Sequence, residues 1–428
     1  MSSNAPPAVP GSDPGGPTAN PEASGSGLFP RLPGITRNVV ALGLISLFTD
    51  LSSDMIIPVL PLFVTVTLGA SAANLGLIEG VAECVASLLR IFSGWLSDRI
   101  GRRKPFLAFG YGLSTVAKAA MALSASWTAV LGLRFADRVG KGLRNPPRDA
   151  LIADSVEPRF FGRAFGFHRA LDTVGATLGP LVAFLMLRAF PGDFRRLFAA
   201  SAIPAVLALL VLALFVRAPR HRVAQRPRAT PAGRPPFGPA FGRFLVVAGV
   251  FSLASSSLAF LLLHAHRVGF RADQVPLIYL GYNLVYALLS WPIGEISDRV
   301  GRRPILLLSY LSFAGVYGLL AWSAAPAVVA GGFVALGIHS ALIEGSQRSL
   351  VADLVVAERR ATAYGLYYTV VGLALLPASA IAGVLWDRFG PRVTFGLEAG
   401  LALAAAALFA VLLPAHREFQ ERHDAQPA

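Results

Sequence analysis

Charged side chains are scarce. Asp, Glu, Lys and Arg make up 14% of the 428 residues, where a soluble domain carries about a quarter. With 54% hydrophobic residues and a mean hydropathy of +0.59, this excludes an ordinary soluble domain and makes lipid the expected solvent. Cysteine is nearly absent. Cys84 alone excludes an internal disulfide framework, and inside an apolar run it reads as a small buried hydrophobe. No metal-ligand spacing of Cys and His occurs. His264 and His266, two residues apart, fall on different helix faces and read as interfacial. Residues 1–36 have few large apolar side chains and much Pro, Gly and Ser, a composition that cannot bury enough surface to fold. They also lack the basic start and cleavage site of a secretory signal. We expect a disordered cytoplasmic tail there and a second one at 415–428.

Long apolar runs are what the chain has in abundance. A membrane helix needs about 20 mostly apolar residues, which gives twelve expected spans: 38–68, 75–97, 105–123, 128–149, 161–187, 197–216, 244–264, 274–297, 304–323, 326–348, 361–385 and 393–414. Pro58 and Pro61 should kink the first or end it early. The net charge is +14, but the bases sit in short loops between apolar runs, not on a soluble face, which argues against nucleic acid. Cytoplasmic loops hold the excess of Lys and Arg. With the N-terminus inside, the inner loops collect most of them, and the outer side holds only Arg188, Arg195, Arg196, Arg267, Arg271, Arg388 and Arg392. Residues 217–243, rich in Pro and Arg, have a linker composition. They divide the chain into bundles at 37–216 and 244–414. The expected fold is an all-α membrane protein, twelve transmembrane helices in two pseudo-symmetric six-helix bundles.

The two groups of six repeat one another. "GWLSDRIGRRKP", Gly94 to Pro105, returns as "GEISDRVGRRP", Gly294 to Pro304. "LIAD" ending at Asp154 returns as "LVAD" ending at Asp353, and Arg148 pairs with Arg348. Such repeats are a transporter signature, with the substrate near the midplane between them. The pattern Gly94-x-Leu96-x-Asp98-Arg99-x-Gly101-Arg102-Arg103 resembles the loop 2–3 signature of the major facilitator superfamily. Its second copy, Gly294, Asp298, Arg299, Gly301 and Arg302, falls in loop 8–9, where that family carries a weaker one. "GATLGP", with Gly175, Gly179 and Pro180, is similar to the helix 5 motif of the family's proton-driven drug antiporters, although Ala183 and Phe184 stand where that motif has two glycines. The resemblance covers roughly residues 38–414, and it implies that Asp98 docks on the start of helix 11 near Ala361 as a cytoplasmic latch. Gly94 should admit a close backbone, Gly101 a tight turn, and the bases should pair with acids such as Asp154 or with lipid phosphates. These bases would also serve topology alone. Gly175 and Gly179, four apart, suit tight helix contact.

Charges inside spans cost at least a few kcal/mol in lipid and therefore point to function. Helix 1 has Asp50 and Asp54, helix 2 Glu79 and Glu83, each pair spaced i,i+4 on one face. Helix 4 has Arg134 and Arg138, helix 5 Asp172, and helix 10 Glu344. Asp50 or Asp54 is the expected proton-loading group, with Arg134 or Arg138 as its counter-charge. The structural alternative is a fixed ion pair joining helices 1 and 4, or 2 and 4. Phe48, Met55, Phe63, Phe165, Tyr279, Tyr282, Tyr286, Tyr367 and Tyr368 are candidates to line an apolar cavity. A membrane enzyme would need a nucleophile, base and orienting group together; Ser255, Ser256, Ser257 and His264 invite that reading, but a polar run suits helix packing and no acid completes the set.

The expected protein is a secondary active transporter, without cofactor or metal and not an enzyme. It exports a small amphipathic molecule by alternating access with protons as coupling ion. The alternative is proton-coupled uptake of a polar or anionic solute. Its partners are the small-molecule substrate, protons and the lipid bilayer, with no nucleic acid. It is expected to be a monomer in a bacterial inner membrane, both termini cytoplasmic.

Overall fold

The computed structural model describes residues 34–217, 237–356 and 359–413, without the side chains of Asp98, Pro158 and Ala361. The two expected tails, most of the 217–243 linker and the Asp98 side chain lie outside the described residues. Every described element is helical. The elements are α1 (Arg37–Ile56), α2 (Leu60–Leu62), α3 (Ala72–Ile100), α4 (Lys104–Met121), α5 (Trp127–Asp154), α6 (Phe161–Ala189), α7 (Phe194–Phe215), α8 (Pro239–Ala254), α9 (Ala259–Arg267), α10 (Val275–Val300), α11 (Arg302–Trp322), α12 (Pro326–Leu354), α13 (Arg360–Phe389) and α14 (Pro391–Leu412). Because α1–α2 and α8–α9 are interrupted rods, these make twelve long stretches.

Nine of the twelve are long and apolar enough to cross a membrane. The others are α3, α4 and α5. On α5, Arg134, Asp137, Arg138 and Arg144 are buried, so its charge lies inside the protein while lipid-length helices surround it. Large apolar side chains face outward instead: Leu288 is 72% exposed and Leu214 68%. This inversion is what a hydrocarbon solvent demands.

Proline interrupts the first stretch as expected. α1 ends at Ile56, α2 follows Pro58, and the chain passes through a π-turn at Phe63–Thr67. The stretch expected to be continuous at 244–264 is also broken, between Ala254 and Ala259. Ser255, Ser256 and Ser257 stand at the gap, so the polar run ends a helix and does not pack one. Serine competes with the backbone for hydrogen bonds, and Ser257 Oγ accepts from Ala259 N–H at 3.2 Å. α8 begins at Pro239, inside the segment expected as linker. His264 is not interfacial; it is 3% exposed and meets the rings of Trp386 and Phe395 edge-on.

The helices are long because their ends carry the charge. α5 continues to Asp154 and α12 to Leu354, five and six residues past their expected ends. α1 packs on α6 and α7, α3 on α5 and α13, α10 on α6 and α12, and α11 on α12 and α14.

Two of these contacts bring early helices against late ones. α3 meets α13 so closely that a Cβ on Gly76 would lie 2.1 Å from the Ser379 carbonyl oxygen, and one on Gly383 2.4 Å from that of Ala72. No side chain fits at that distance.

Candidate functional site

A cavity of about 1690 Å³ lies between these helices. α1 contributes Ser46, Thr49 and Asp50, and α5 contributes Lys141, Arg144 and Arg148. His168, Arg169 and Asp172 come from α6, Tyr286 from α10, Glu344 and Arg348 from α12, and Tyr364 and Tyr368 from α13. The lining extends to Gly94 and Trp95 near the end of α3 and to Thr362 and Gly365 near the start of α13. Helical period explains the convergence. Arg134, Arg138, Lys141, Arg144 and Arg148 recur every three or four residues, with Asp137 beside them, and form one stripe on α5.

Three of the eight sequence-selected acids and bases line this cavity: Asp50, Asp172 and Glu344. They belong to one polar chain. Ser46 Oγ donates to Asp172 Oδ1 at 2.6 Å. Arg169 donates to Asp172 Oδ2 at 2.9 Å and to the Tyr286 hydroxyl at 2.9 Å. Tyr286 donates in turn to Glu344, which also accepts from Arg348 at 2.8 Å. The chain crosses from α1 and α6 to α10 and α12. The carboxyls of Asp50 and Asp172 meet at hydrogen-bonding range, an arrangement that can hold one proton between two oxygens.

The other five do not line the cavity. Arg134 Nη2 reaches Glu79 Oε1 at 2.8 Å, and Arg138 Nη2 reaches Glu83 Oε1 at 3.1 Å. The expected pairing of a helix 1 acid with Arg134 or Arg138 is therefore corrected: both arginines are engaged by α3, as the alternative of a fixed pair between helices 2 and 4 has it. The equal spacing of acids and bases on two neighbouring helices makes a two-step ladder. Each pair spares the other charge an uncompensated burial. Asp54 accepts from the Tyr279 hydroxyl of α10 at 3.1 Å and lies 8% exposed beneath Gly179. Of the nine expected cavity-lining residues, Phe165, Tyr286 and Tyr368 line it; Met55 and Phe63 belong to the apolar core.

The motif residues act mainly at helix ends. Gly101 and Gly301 take φ of +67° and +98°, which glycine alone adopts freely. Gly94 does not mark a close backbone approach, since an added Cβ would meet Pro146 at an ordinary 3.5 Å, and at Gly294 it would meet nothing within 4 Å. Arg99 lies over the Trp95 ring, Arg299 pairs with Glu295 at 2.5 Å, and Arg102 is exposed. Arg103 pairs with Asp154 at 2.5 Å. In the second copy Arg302 takes both Asp298, at 2.5 Å, and Asp353, at 3.6 Å. Lys104 donates to the Val216 carbonyl at 2.8 Å, and Arg303 to that of Ala410 at 3.0 Å. Each cation closes a helix C-terminus. Replacing Asp154 by Asn should lower stability by about 1 kcal/mol, since the pair is partly solvated; thermal unfolding of the purified protein measures it, and an unchanged midpoint would deny the pair a structural role.

Gly175 and Gly179 hold α6 on α1: a Cβ at Gly175 would lie 2.3 Å from the Leu47 carbonyl oxygen, and one at Gly179 2.8 Å from Asp54. Pro180, buried beside them, leaves α6 unbroken.

Two residues escaped the sequence reading. Asp387, at the end of α13, accepts from Ala72 N–H at 2.9 Å and Ala73 N–H at 2.8 Å, the first turn of α3. Its signal was in plain view, since "DRFG" at 387–390 repeats the "DRIG" of 98–101 and the "DRVG" of 298–301. Glu398, in an Ala-rich helix, accepts from Ser256 at the α8–α9 break. That gives the serine run an acid partner after all, but neither residue lines the cavity.

The sequence model of the Major Facilitator Superfamily matches residues 42–265 and 244–428. An uncharacterized transporter of that type from Methanocaldococcus jannaschii is 34% identical over 387 residues, covering 87% of this chain and 94% of its own. A probable 4-methylmuconolactone transporter of Cupriavidus pinatubonensis is 27% identical over 375 residues, covering 82% and 84%. Among solved structures, an inward-facing bacterial homolog of the human lysosomal transporter Spinster superposes with a TM-score of 0.71 at 18% identity, over 89% of this chain and 97% of that one.

Proposed function

The chain belongs to the major facilitator superfamily, and from that premise we propose that it is a proton-coupled secondary transporter that moves a small amphipathic molecule by alternating access. The single observation that carries this reading is the 1690 Å³ cavity, which runs to the end of α3 and the start of α13, while the opposite ends of the same two helices touch at Gly76, Gly383 and Asp387. We read residues 37–216 and 244–414 as the two six-helix bundles that rock about this site, with the nine apolar stretches and α3, α4 and α5 as twelve spans. We read the open end as the cytoplasmic one, supported by the bias of Lys and Arg, in a bacterial inner membrane with both termini inside.

Asp98 and Asp387 then have matching tasks. Each ends a helix that faces the other's start. Asp387 holds the outer side closed in the state described, and Asp98 would hold the inner side closed in the other, its carboxylate accepting from the free N–H groups at the start of α13. Asp50, hydrogen-bonded in a pair with Asp172 and facing the cavity, is the group we assign to proton loading, with Asp54 as its neighbour one turn on. Proton antiport and efflux are the direction favoured by the motif at Gly175–Pro180. A second reading, proton-coupled uptake of a polar or anionic solute, is favoured by the cavity wall, which carries more cations than acids.

Counterflow in proteoliposomes under an imposed pH gradient tests both. Antiported substrate should accumulate in the more acidic compartment and symported substrate in the more alkaline one, relative to protein-free liposomes, with collapse by a protonophore. Accumulation that ignores the gradient would reject proton coupling.

A further inference from the structure

We propose that the cavity recognises its substrate by an anionic group, a carboxylate on an otherwise apolar molecule, held by Arg90, Lys141 and Arg144. The inference rests on the transporter reading of the same cavity and names the class of cargo. It follows from which charges in the wall are already answered.

Asp149 is paired with Arg148 at 2.9 Å, Asp172 with Arg169 at 2.9 Å and Glu344 with Arg348 at 2.8 Å. The three remaining lining cations are Arg90 on α3 and Lys141 and Arg144 on α5. Among the described residues none of them has a carboxylate within 4.0 Å. Asp50, the one lining acid left over, is shared with Asp172. The wall therefore holds a surplus of at least two positive charges, and of three whenever the Asp50–Asp172 pair holds a proton.

Tyrosines hold the two arginines in place without neutralising them, and Glu83, which acts on both Arg90 and Lys141, is itself paired with Arg138. The Arg90 guanidinium lies 5.8 Å from the centre of the Tyr368 ring, and its Nε, buried, meets no acceptor. The Arg144 guanidinium lies 4.6 Å from the centre of the Tyr111 ring, and one of its nitrogens donates to Ser114 Oγ at 2.6 Å. Tyrosine faces orient a guanidinium and supply part of its stabilisation, yet leave its fork of N–H donors able to take a planar carboxylate in two parallel hydrogen bonds. Topology does not explain them, because these cations lie within helices, not in the basic loops. An unpaired cation inside a membrane protein is costly and is kept where it has a task. Three around one cavity make sense when the ligand brings the counter-charge. Beside them Ile91, Trp95, Phe165 and Leu366 offer apolar surface for the rest of the molecule. An amine in the same place would meet like charge.

The test uses purified full-length protein in a non-ionic detergent at constant ionic strength. Benzoate, 1-naphthoate and hexanoate are each compared with the matching amide and the matching amine by thermal unfolding. Bound ligand raises the midpoint, so carboxylates should raise it while amides and amines do not. Arg90→Gln, Lys141→Gln and Arg144→Gln should each weaken carboxylate binding about tenfold, the scale of one lost charged hydrogen bond. Three separate variants guard against one that fails to fold. The inference is overturned if no carboxylate stabilises the protein, if an amide or amine does so equally, or if the folded variants all bind carboxylate like the parent. Carboxylate binding without flux in proteoliposomes would sink the transporter reading and leave the anion site standing. Gradient-driven flux of an amine without carboxylate binding would do the reverse.

Discussion

Asp50→Asn is expected to reduce proton-driven flux to the level of protein-free liposomes while leaving insertion and gradient-free substrate exchange intact. Asn has the size of Asp and cannot take up and release a proton. Asp50 faces charged groups on three neighbouring helices and its own: Asp172 and Arg169 on α6, Lys141, Arg144 and Arg148 on α5, Lys118 on α4, and Asp54 on α1. On the proton-coupled reading, a proton gained there would change the field on Lys141 and on the Asp172–Arg169 pair, and so reach both the substrate wall and the polar chain that ends on α12. Asp54→Asn should be milder, because an amide oxygen still accepts from Tyr279 at the α1–α10 contact. Flux driven equally well by a pH gradient in Asp50→Asn would remove this residue from proton coupling, and loss confined to Asp54→Asn would move the role one turn along α1.

The second large effect is expected at the seam between α3 and α13. Gly76→Leu places atoms where the Ser379 carbonyl already lies, so these helix ends must part. Asp387→Ala removes the acceptor of two N–H groups at the start of α3, a loss of about 1–2 kcal/mol by analogy with helix caps. That corresponds to a population shift of about 5–30-fold between conformers. The protein supplies its own reporter. Cys84, the single cysteine, is buried on α3, and its carbonyl oxygen would lie 3.7 Å from a Cβ on Gly372 of α13. A membrane-impermeant maleimide should therefore label Cys84 slowly in the parent, about 5–30-fold faster in Asp387→Ala, and fastest in Gly76→Leu. Equal rates in all three would mean that the seam does not open from that side.

Much of the scaffold was legible because lipid imposes simple rules. A run of about 20 apolar residues is a helix whatever its neighbours do, and Pro58 breaks one for reasons of backbone geometry. Gly101 announced its turn for the same local reason. The break at Ser255–Ser257 was not legible, since serines are tolerated inside membrane helices. At the break the serines meet Glu398 and Glu79, which accept from Ser256 and Ser257 and are far away in sequence.

The site divides along the same line. Spacing alone determined that Asp50 and Asp54 share a face of α1, that Glu79 and Glu83 share one of α3, and that α5 carries a stripe of bases, because a helix repeats every 3.6 residues. Only the tertiary structure decided which way each face turns. It gave Glu79 and Glu83 to Arg134 and Arg138 and left Asp50 with Asp172. It made Asp387, an exposed residue in an ordinary loop motif, the cap of a helix more than 300 positions earlier. The physical reason is that periodicity specifies angles within one helix, whereas the rotation of one helix against another is set by packing at contacts such as Gly76 and Gly175, where two backbones meet with no side chain between them.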